Sequence, residues 1–154
     1  MRTLADLTLV RASVDADATF EEAARILSQN RLASIAVLEE GKVVGLFTDE
    51  ELLLGIFPRY LDELRHTAFL EAELPSLRER AAEVRHERVR AHMRKPVTVQ
   101  AEATAFHAAE RFVHTDEAAV AVVDDEGRFR GMLERTEFAH ALLRRLTAPD
   151  AQSS

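Results

Sequence analysis

Residues Ile35–Glu51 read IAVLEEGKVVGLFTDEE and predict two short strands followed by the start of a helix. The apolar run Ile35–Leu38 is too short for a helix, and the two glutamates and the glycine that follow it are typical of a turn. A second β-rich run, Val43–Phe47, comes at hairpin spacing. Thr48 then begins a helix, because its hydroxyl can accept from the amide three residues on while Glu51 reaches back to the Thr48 amide, as in a capping box.

The same pattern occurs a second time, and this duplication defines the organisation of the chain. The residues that coincide after a shift of 85 positions are Val14, Ala16, Ala18, Thr19, Ala23, Ala24, Ala33, Ala36 and Val37 in the first copy. One extra residue in the second turn then aligns Gly45 with Gly131 and Glu51 with Glu137. Two copies are too few for a solenoid, and a half of about sixty residues would be marginal alone. We therefore expect two halves that face each other and share a core.

Helices are predicted around each hairpin. Thr19 caps an amphipathic helix that ends at Asn30, and Thr104 begins its counterpart in the second copy. The helix that starts near Thr48 is expected to stop at Pro58, because the proline ring would displace the preceding turn. The predicted organisation is a first repeat with a partly helical leading segment (1–57), a helical insertion (58–88), a second repeat (89–148) and a disordered tail (149–154). Within the insertion, one helix is predicted near Tyr60, Leu61 and Leu64 and another from Pro75 onward.

Composition excludes several classes of protein. The 154 residues are 47% apolar and 31% charged, as in a soluble globular protein. The absence of cysteine excludes disulfides, thiolate metal sites and thiol nucleophiles. No signal peptide or membrane-spanning run is visible, so we expect a cytoplasmic protein without a membrane partner. A net charge of −7 disfavours nucleic-acid binding, and we interpret the basic segment Arg85–Lys95 as a solvated helix end.

Taken in order, the repeated features resemble the tandem cystathionine β-synthase-type (CBS) domain pair, or Bateman module. They are a valine, a Thr-capped helix, a short strand ending in Ala-Val, an acidic Gly turn and the run Val-Gly-apolar-apolar-Thr-x-x-acid. The resemblance covers residues 8–57 and 89–146, and Val89–Val97 looks like the segment that leads into a second CBS repeat. It implies an α+β fold (α/β-like) in which each half is a β-α-β-β-α unit and two small sheets pack about a pseudo-twofold axis.

The resemblance also implies that an adenosine nucleotide such as AMP, ADP or ATP binds in the cleft between the repeats. In the family's Gly-x-x-Thr-x-x-Asp motif, the threonine approaches phosphate and the aspartate holds the ribose hydroxyls. Those positions are Thr48 and Glu51 here, and Glu134 stands at the threonine position of the second half. The base would lie near Ala18, Ala23, Leu32 and Ala33. Because Glu134 and Glu117 add negative charge to the second half, a ligand is expected in the first half only.

Other interpretations of these residues stay open. Thr48 and Glu51 are explained equally well as a helix cap without a ligand. His107, Glu110 and His114 share a helix face, but that face should be solvated, so no metal site is expected. No nucleophile elbow, Walker loop or dinucleotide-binding turn is present, so no catalytic residue and no enzyme activity are expected.

Two hypotheses about function therefore remain. The chain is either a stand-alone sensor that signals to an unknown effector protein, or a ligand-free structural dimerisation module. Either is expected to be a homodimer, because the helices Glu51–Phe57 and Phe138–Leu146 carry more apolar residues than one small core needs.

Overall fold

The computed structural model describes residues 3–57 and 74–148, and it contains the two predicted β-α-β-β-α units. The first repeat consists of β1 (Ser13–Asp15), α1 (Phe20–Asn30), β2 (Ser34–Glu39), β3 (Lys42–Thr48) and α2 (Asp49–Ile56). Helix α3 (Leu74–Val84) precedes the second repeat, which consists of β4 (Thr98–Gln100), α4 (Ala105–His114), β5 (Ala119–Val123), β6 (Phe129–Glu134) and α5 (Arg135–Thr147). Short 3₁₀ turns lie at Leu4–Asp6 and Val89–Ala91. The α+β fold class and the duplication are confirmed.

Each repeat forms its own three-stranded sheet, in the orders β1-β2-β3 and β4-β5-β6. The first two strands of each sheet are parallel, because a helix connects them, and the last two form an antiparallel hairpin. All five residues of the central strand β5 are buried. A strand covered on both faces is expected to be continuously apolar, as Ala119–Val123 is.

The two repeats share part of their core. Each repeat has an apolar cluster of its own beneath its helices. A third cluster lies between the two sheets and consists of Ala36, Leu46, Ala119, Ala121 and Met132. The hairpin turns also pair with each other, since the Val43 amide donates to the Gly127 carbonyl and the Phe129 amide to that of Gly41, at 3.3 and 3.0 Å.

The segment that leads into each repeat crosses to the other repeat. Val10 exchanges backbone hydrogen bonds with Met132 of β6 at 2.9 and 2.7 Å, and Leu4 is buried in the core of the second repeat. In the same way, Arg94 exchanges backbone hydrogen bonds with Leu46 of β3 at 2.9 and 3.0 Å. Each hairpin is therefore extended by the segment that leads into the other repeat.

Glycines permit these crossings. A Cβ atom at Gly45 would lie 2.5 Å from Sδ of Met93, and one at Gly131 would lie 2.6 Å from Cβ of Leu9. Both distances are too short for non-bonded atoms, so the two close approaches depend on glycine. These are the two glycines that the repeat alignment superposes.

The helix caps agree in part with the predictions. The Thr19 hydroxyl accepts from the Glu22 amide at 3.1 Å, as predicted. Helix α1 ends at Asn30, as predicted, and Arg31, in the left-handed conformation (φ 51°), is its C-terminal cap. Helix α2 ends before Pro58, with Phe57 as its cap.

Some sequence predictions lie outside the described residues, namely the helix near Tyr60, Leu61 and Leu64 and the tail 149–154. Helix α3 contains Pro75, and its Val84 is buried against the first repeat, as the apolar spacing predicts. Within residues 3–57 and 74–148, the helices are too short or too polar to cross a membrane.

Candidate functional site

The site is built from the junction of β3 and α2, where Thr48 and Glu51 are both buried. The Thr48 hydroxyl accepts from the Glu50 amide at 3.1 Å and donates to Oε2 of Glu51 at 2.6 Å. The predicted capping box is wrong in detail, because the Glu51 carboxylate accepts from the Thr48 hydroxyl and not from its amide. The Asp49 amide is also occupied, since it donates to the Ala33 carbonyl at 3.0 Å. The start of α2 therefore presents fewer free donors to a phosphate than the sequence suggests.

Arg94 supplies the positive charge of the site. Its backbone is fixed by the paired hydrogen bonds to Leu46, so its side chain reaches α2 from a defined position. Nε donates to Oε1 of Glu51, and Nη2 donates to Oε2 of Glu51 at 2.9 Å and to Glu50 at 2.6 Å. The guanidinium thus makes a two-pronged contact with Glu51, the geometry that gives strong charge-assisted hydrogen bonds.

The same guanidinium reaches the second repeat. Nη1 donates to Oε1 of Glu117 at 3.0 Å, and Glu117 lies buried in the turn between α4 and β5. We call Arg94, Glu50, Glu51 and Glu117 the Arg94 cluster. It joins the helix start of the first repeat to a turn of the second.

The Arg94 cluster contains more negative than positive charge. One guanidinium faces three carboxylates, so the cluster carries a formal charge of −2. The hydrogen bonds to Glu51 are the largest cause that raises the pKa of Arg94, and burial acts against them. Glu51 and Glu117 are buried carboxylates that depend on this cation, because a buried charge without a partner is strongly destabilising.

A cavity of about 380 Å³ adjoins the cluster. Its lining residues are Glu51, Leu54, Gly55, Ala91, His92, Met93 and Arg94. Small-molecule sites usually measure about 300–1,000 Å³, so the cavity is at the lower end of that range. His92 lies 3.0 Å from Glu87 through Nε2 and packs edge-on against Phe20. Leu54, Ala91 and Met93 give the cavity an apolar wall, and Glu51 and Arg94 give it a charged one.

Of the four residues predicted to contact the base, three lie in or against the core of the first repeat and one lies at the site. Ala23 has no exposed surface and belongs to the core of the first repeat, and Ala18 and Leu32 pack against that core. Ala33 is joined to the site through its carbonyl, which bonds the Asp49 amide. The structure thus places Thr48, Glu51 and Ala33 together and places Ala18, Ala23 and Leu32 around the core. Their role as ligand contacts stays a prediction.

The equivalent helix start in the second repeat differs in its charges. Glu134 is the N-cap residue of α5 but its side chain makes no cap hydrogen bond, and Glu137 pairs with Arg144 at 3.6 Å. Val10 makes the backbone pairing with Met132 that Arg94 makes with Leu46. Among the described residues, the position equivalent to Arg94 therefore carries an apolar side chain.

Arg94 was not predicted as a site residue. The interpretation of Arg85–Lys95 as a solvated helix end holds for the exposed Arg85 and Arg90 but is wrong for Arg94, whose side chain is 28% exposed. Arg85 pairs with Glu21 at 3.1 Å, Arg90 pairs with Asp17 and Glu39, and Arg94 pairs within its cluster. The available signal was Glu117, an acid that aligns with the apolar Leu32 after the shift of 85 positions. A buried carboxylate needs a cation nearby.

Three residues of α4 share a helix face and have side chains that can bind a metal, and all three are exposed. They are His107, Glu110 and His114. No cluster of three or more side chains suited to a metal ion is found within the described parts of the chain.

The CBS domain family matches the sequence over residues 7–57 and 88–144. The two matched segments coincide with the two structural repeats, so the chain belongs to the CBS domain family and contains a tandem CBS pair. Comparison with curated proteins gives no match.

Solved structures share this fold. A CBS domain-containing protein from Kribbella flavida superposes with a TM-score of 0.73 at 18% identity, covering 96% of this chain and 99% of that one. The CBS-pair protein CBSX2 from Arabidopsis thaliana gives a TM-score of 0.72 at 21% identity, covering 94% and 96%. CBSX2 in complex with AMP gives 0.70 at 21% identity, covering 95% and 99%.

Proposed function

We propose that the chain is a regulatory module that binds an adenosine-containing nucleotide between its repeats, beside the Arg94 cluster. The observation that carries this proposal is the pairing of Glu51 with Arg94 in the wall of a cavity of about 380 Å³. The same guanidinium also binds Glu117 of the second repeat. Glu51 supplies an acceptor for ribose hydroxyls and Arg94 a donor for phosphate. The AMP complex of CBSX2, which has the same fold, supports an adenosine ligand.

The site is assigned to the first-repeat helix start. Thr48 and Glu51 lie there beside a guanidinium, whereas Glu134 and Glu137 occupy the equivalent point of the second repeat beside Val10. A phosphate would meet Arg94 in the first case. In the second it would meet Glu134, and the neighbouring Arg135 donates to the Glu117 carbonyl at 3.5 Å. One nucleotide per chain follows.

Calorimetry with AMP, ADP and ATP tests this function, with GMP as a control for the base. We expect one site per chain in the wild type and loss of binding in Thr48→Glu, which places a fourth acid at the helix start beside Asp49, Glu50 and Glu51. Glu134→Thr is the matched change in the other repeat and should leave the first site intact. Two equivalent sites, or full binding by Thr48→Glu, would show that the ligand is wrongly placed. Folded protein that gives no heat with any adenosine nucleotide would favour the structural module.

We also propose that the module is a homodimer that signals to a partner protein without catalysing a reaction. Large apolar side chains remain exposed on α2 and α5, namely Leu53, Leu54, Phe57, Leu143 and Leu146. Leu146 is 81% exposed, and burying such side chains against a second copy would remove them from water.

Sedimentation equilibrium tests the dimer. Leu146→Asp should shift the chain toward the monomer, whereas Val113→Asp, at a residue of α4 that is 78% exposed, should not. A wild type that stays monomeric at micromolar concentration would contradict the proposal.

A further inference from the structure

We propose that Arg94 closes the ligand position in the empty protein, and that binding exchanges its carboxylate partner for the phosphate of the ligand. The site would then accept only ligands that carry both a ribose diol and a phosphate. This inference rests on the proposed nucleotide function and specifies how that site is regulated.

The hydrogen-bonding capacity of Glu51 is almost fully used in the empty protein. Its carboxylate already accepts three hydrogen bonds, one from the Thr48 hydroxyl and two from Arg94. A carboxylate offers about four acceptor positions, and a ribose diol donates two hydrogen bonds. The diol can therefore bind Glu51 only if Arg94 withdraws at least one of its donors.

The withdrawn guanidinium of Arg94 needs a new anionic partner. Moving Arg94 away from Glu51 leaves it without its two-pronged partner, which is unfavourable in a partly buried site. A phosphate restores that partner, because guanidinium and phosphate also pair through two parallel hydrogen bonds. A nucleoside without phosphate offers no such replacement.

A phosphate without the diol meets the opposite difficulty. It would draw Arg94 from Glu51 and leave that carboxylate buried with the Thr48 hydroxyl as its remaining donor. The phosphate would also approach Glu50 and Glu117, and like charges at this range repel. The two ligand groups therefore depend on each other.

The geometry allows the exchange without backbone movement. The Arg94 backbone is held by Leu46, but its side chain is 28% exposed and lines the cavity. Rotation of the side chain alone can turn the guanidinium from Glu51 toward a ligand in that cavity. Because the same guanidinium holds Glu117, the exchange also releases a contact with the second repeat.

Calorimetry with three probes tests the exchange in the full chain. The probes are AMP, adenosine (diol without phosphate) and 2′-deoxyadenosine monophosphate (phosphate without diol). In the wild type we expect AMP to bind at least about tenfold more tightly than either other probe, as expected for loss of one charge-assisted contact. Equal affinity for AMP and adenosine would overturn the exchange while leaving nucleotide binding intact. No heat with any of the three probes would overturn the proposed function and the exchange with it.

Variants separate Arg94 from other arginines. Arg94→Met frees Glu51, so adenosine should bind more tightly than in the wild type and AMP more weakly, and their affinity ratio should fall toward one. Arg90→Met is the matched control, since Arg90 is on the same segment but pairs with Asp17 and Glu39 outside the cluster. A wild-type ratio in Arg94→Met, or an equal loss in Arg90→Met, would refute the role of Arg94.

A second variant keeps the test open if Arg94→Met does not fold. Glu117→Gln retains Arg94 but weakens its tie to the second repeat, so the guanidinium is released at lower cost. AMP should then bind several-fold more tightly, with adenosine nearly unchanged. Weaker AMP binding in Glu117→Gln would contradict the exchange.

Discussion

Replacing Gly45 by alanine tests how the inter-repeat segment is held against β3. The new Cβ would lie 2.5 Å from Sδ and 2.8 Å from Cγ of Met93, and 3.0 Å from the carbonyl oxygen of Arg94. The Met93 side chain can rotate away. The Arg94 carbonyl cannot retreat without weakening its hydrogen bond to the Leu46 amide.

The expected cost follows from two opposing effects. Overpacking of this kind costs about 1–3 kcal/mol. Alanine in a strand recovers about 0.5–1 kcal/mol relative to glycine, because the unfolded chain loses less conformational entropy. The middle of the two ranges gives a net destabilisation of about 1.3 kcal/mol. For a chain of this size, that lowers Tm by roughly 3–5 °C.

A double-mutant cycle in urea identifies the cause. Met93→Ala alone should destabilise the protein, because Met93 packs against the first core. In the Gly45→Ala background the same change removes the clash, so the two changes should be coupled by about 1 kcal/mol. Gly127→Ala is the control, since no atom lies within 4 Å of its Cβ and it should show no coupling to Met93. Wild-type stability in Gly45→Ala, or additive effects in the cycle, would refute this account of the contact.

Three further predictions follow from the same geometry. Gly131→Ala should destabilise more than Gly45→Ala in urea titrations, because the obstructing atom is Cβ of Leu9, which cannot rotate away, and φ is 150°; an equal or smaller effect would contradict this. Asp124→Ala should destabilise the β5–β6 turn more than Asp124→Asn, since one side-chain oxygen accepts two turn amides at 2.9 Å. Those bonds, chiefly that from the Arg128 amide, lower the pKa of Asp124. The stability that Asp124 contributes should be complete above the pKa of the unfolded chain and disappear as pH falls through the folded value, which a pH series of the wild type against the two variants checks. A fragment of residues 1–88 should show no cooperative thermal transition in calorimetry, because Leu4 and Val10 pack on the absent repeat; a sharp transition of a monomeric fragment would count against one cooperative unit.

Local signals in the sequence were sufficient for the fold. The apolar run of β2, the Gly41 turn and the Thr19 cap each specify their element from neighbouring residues, and the duplication repeats them. Such signals do not show which surfaces meet. The crossing of the leading segments was therefore not predictable, because the apolar side chains of Leu4 and Val10 would suit the core of either repeat equally well.

The site was less predictable than the fold, because its residues come from distant parts of the sequence. Thr48 and Glu51 were identified, because a motif of short spacing contains both. Arg94 lies 43 residues from Glu51 and 23 from Glu117, and nothing in their spacing connects them. Glu117 at an apolar position was the one sign of a missing cation, and several arginines in 85–94 could have supplied it. Burial and distance, which are properties of the fold, decide among them.

The exchanged leading segments determine how the molecule can move. Separation of the repeats would act on two backbone pairings, Val10 with Met132 and Arg94 with Leu46, and would open the apolar cluster between the two sheets. The two repeats are therefore connected by two backbone pairings, whereas a hinge motion requires a single pivot. A change that keeps both pairings intact is therefore confined to side chains that exchange partners, as proposed for Arg94.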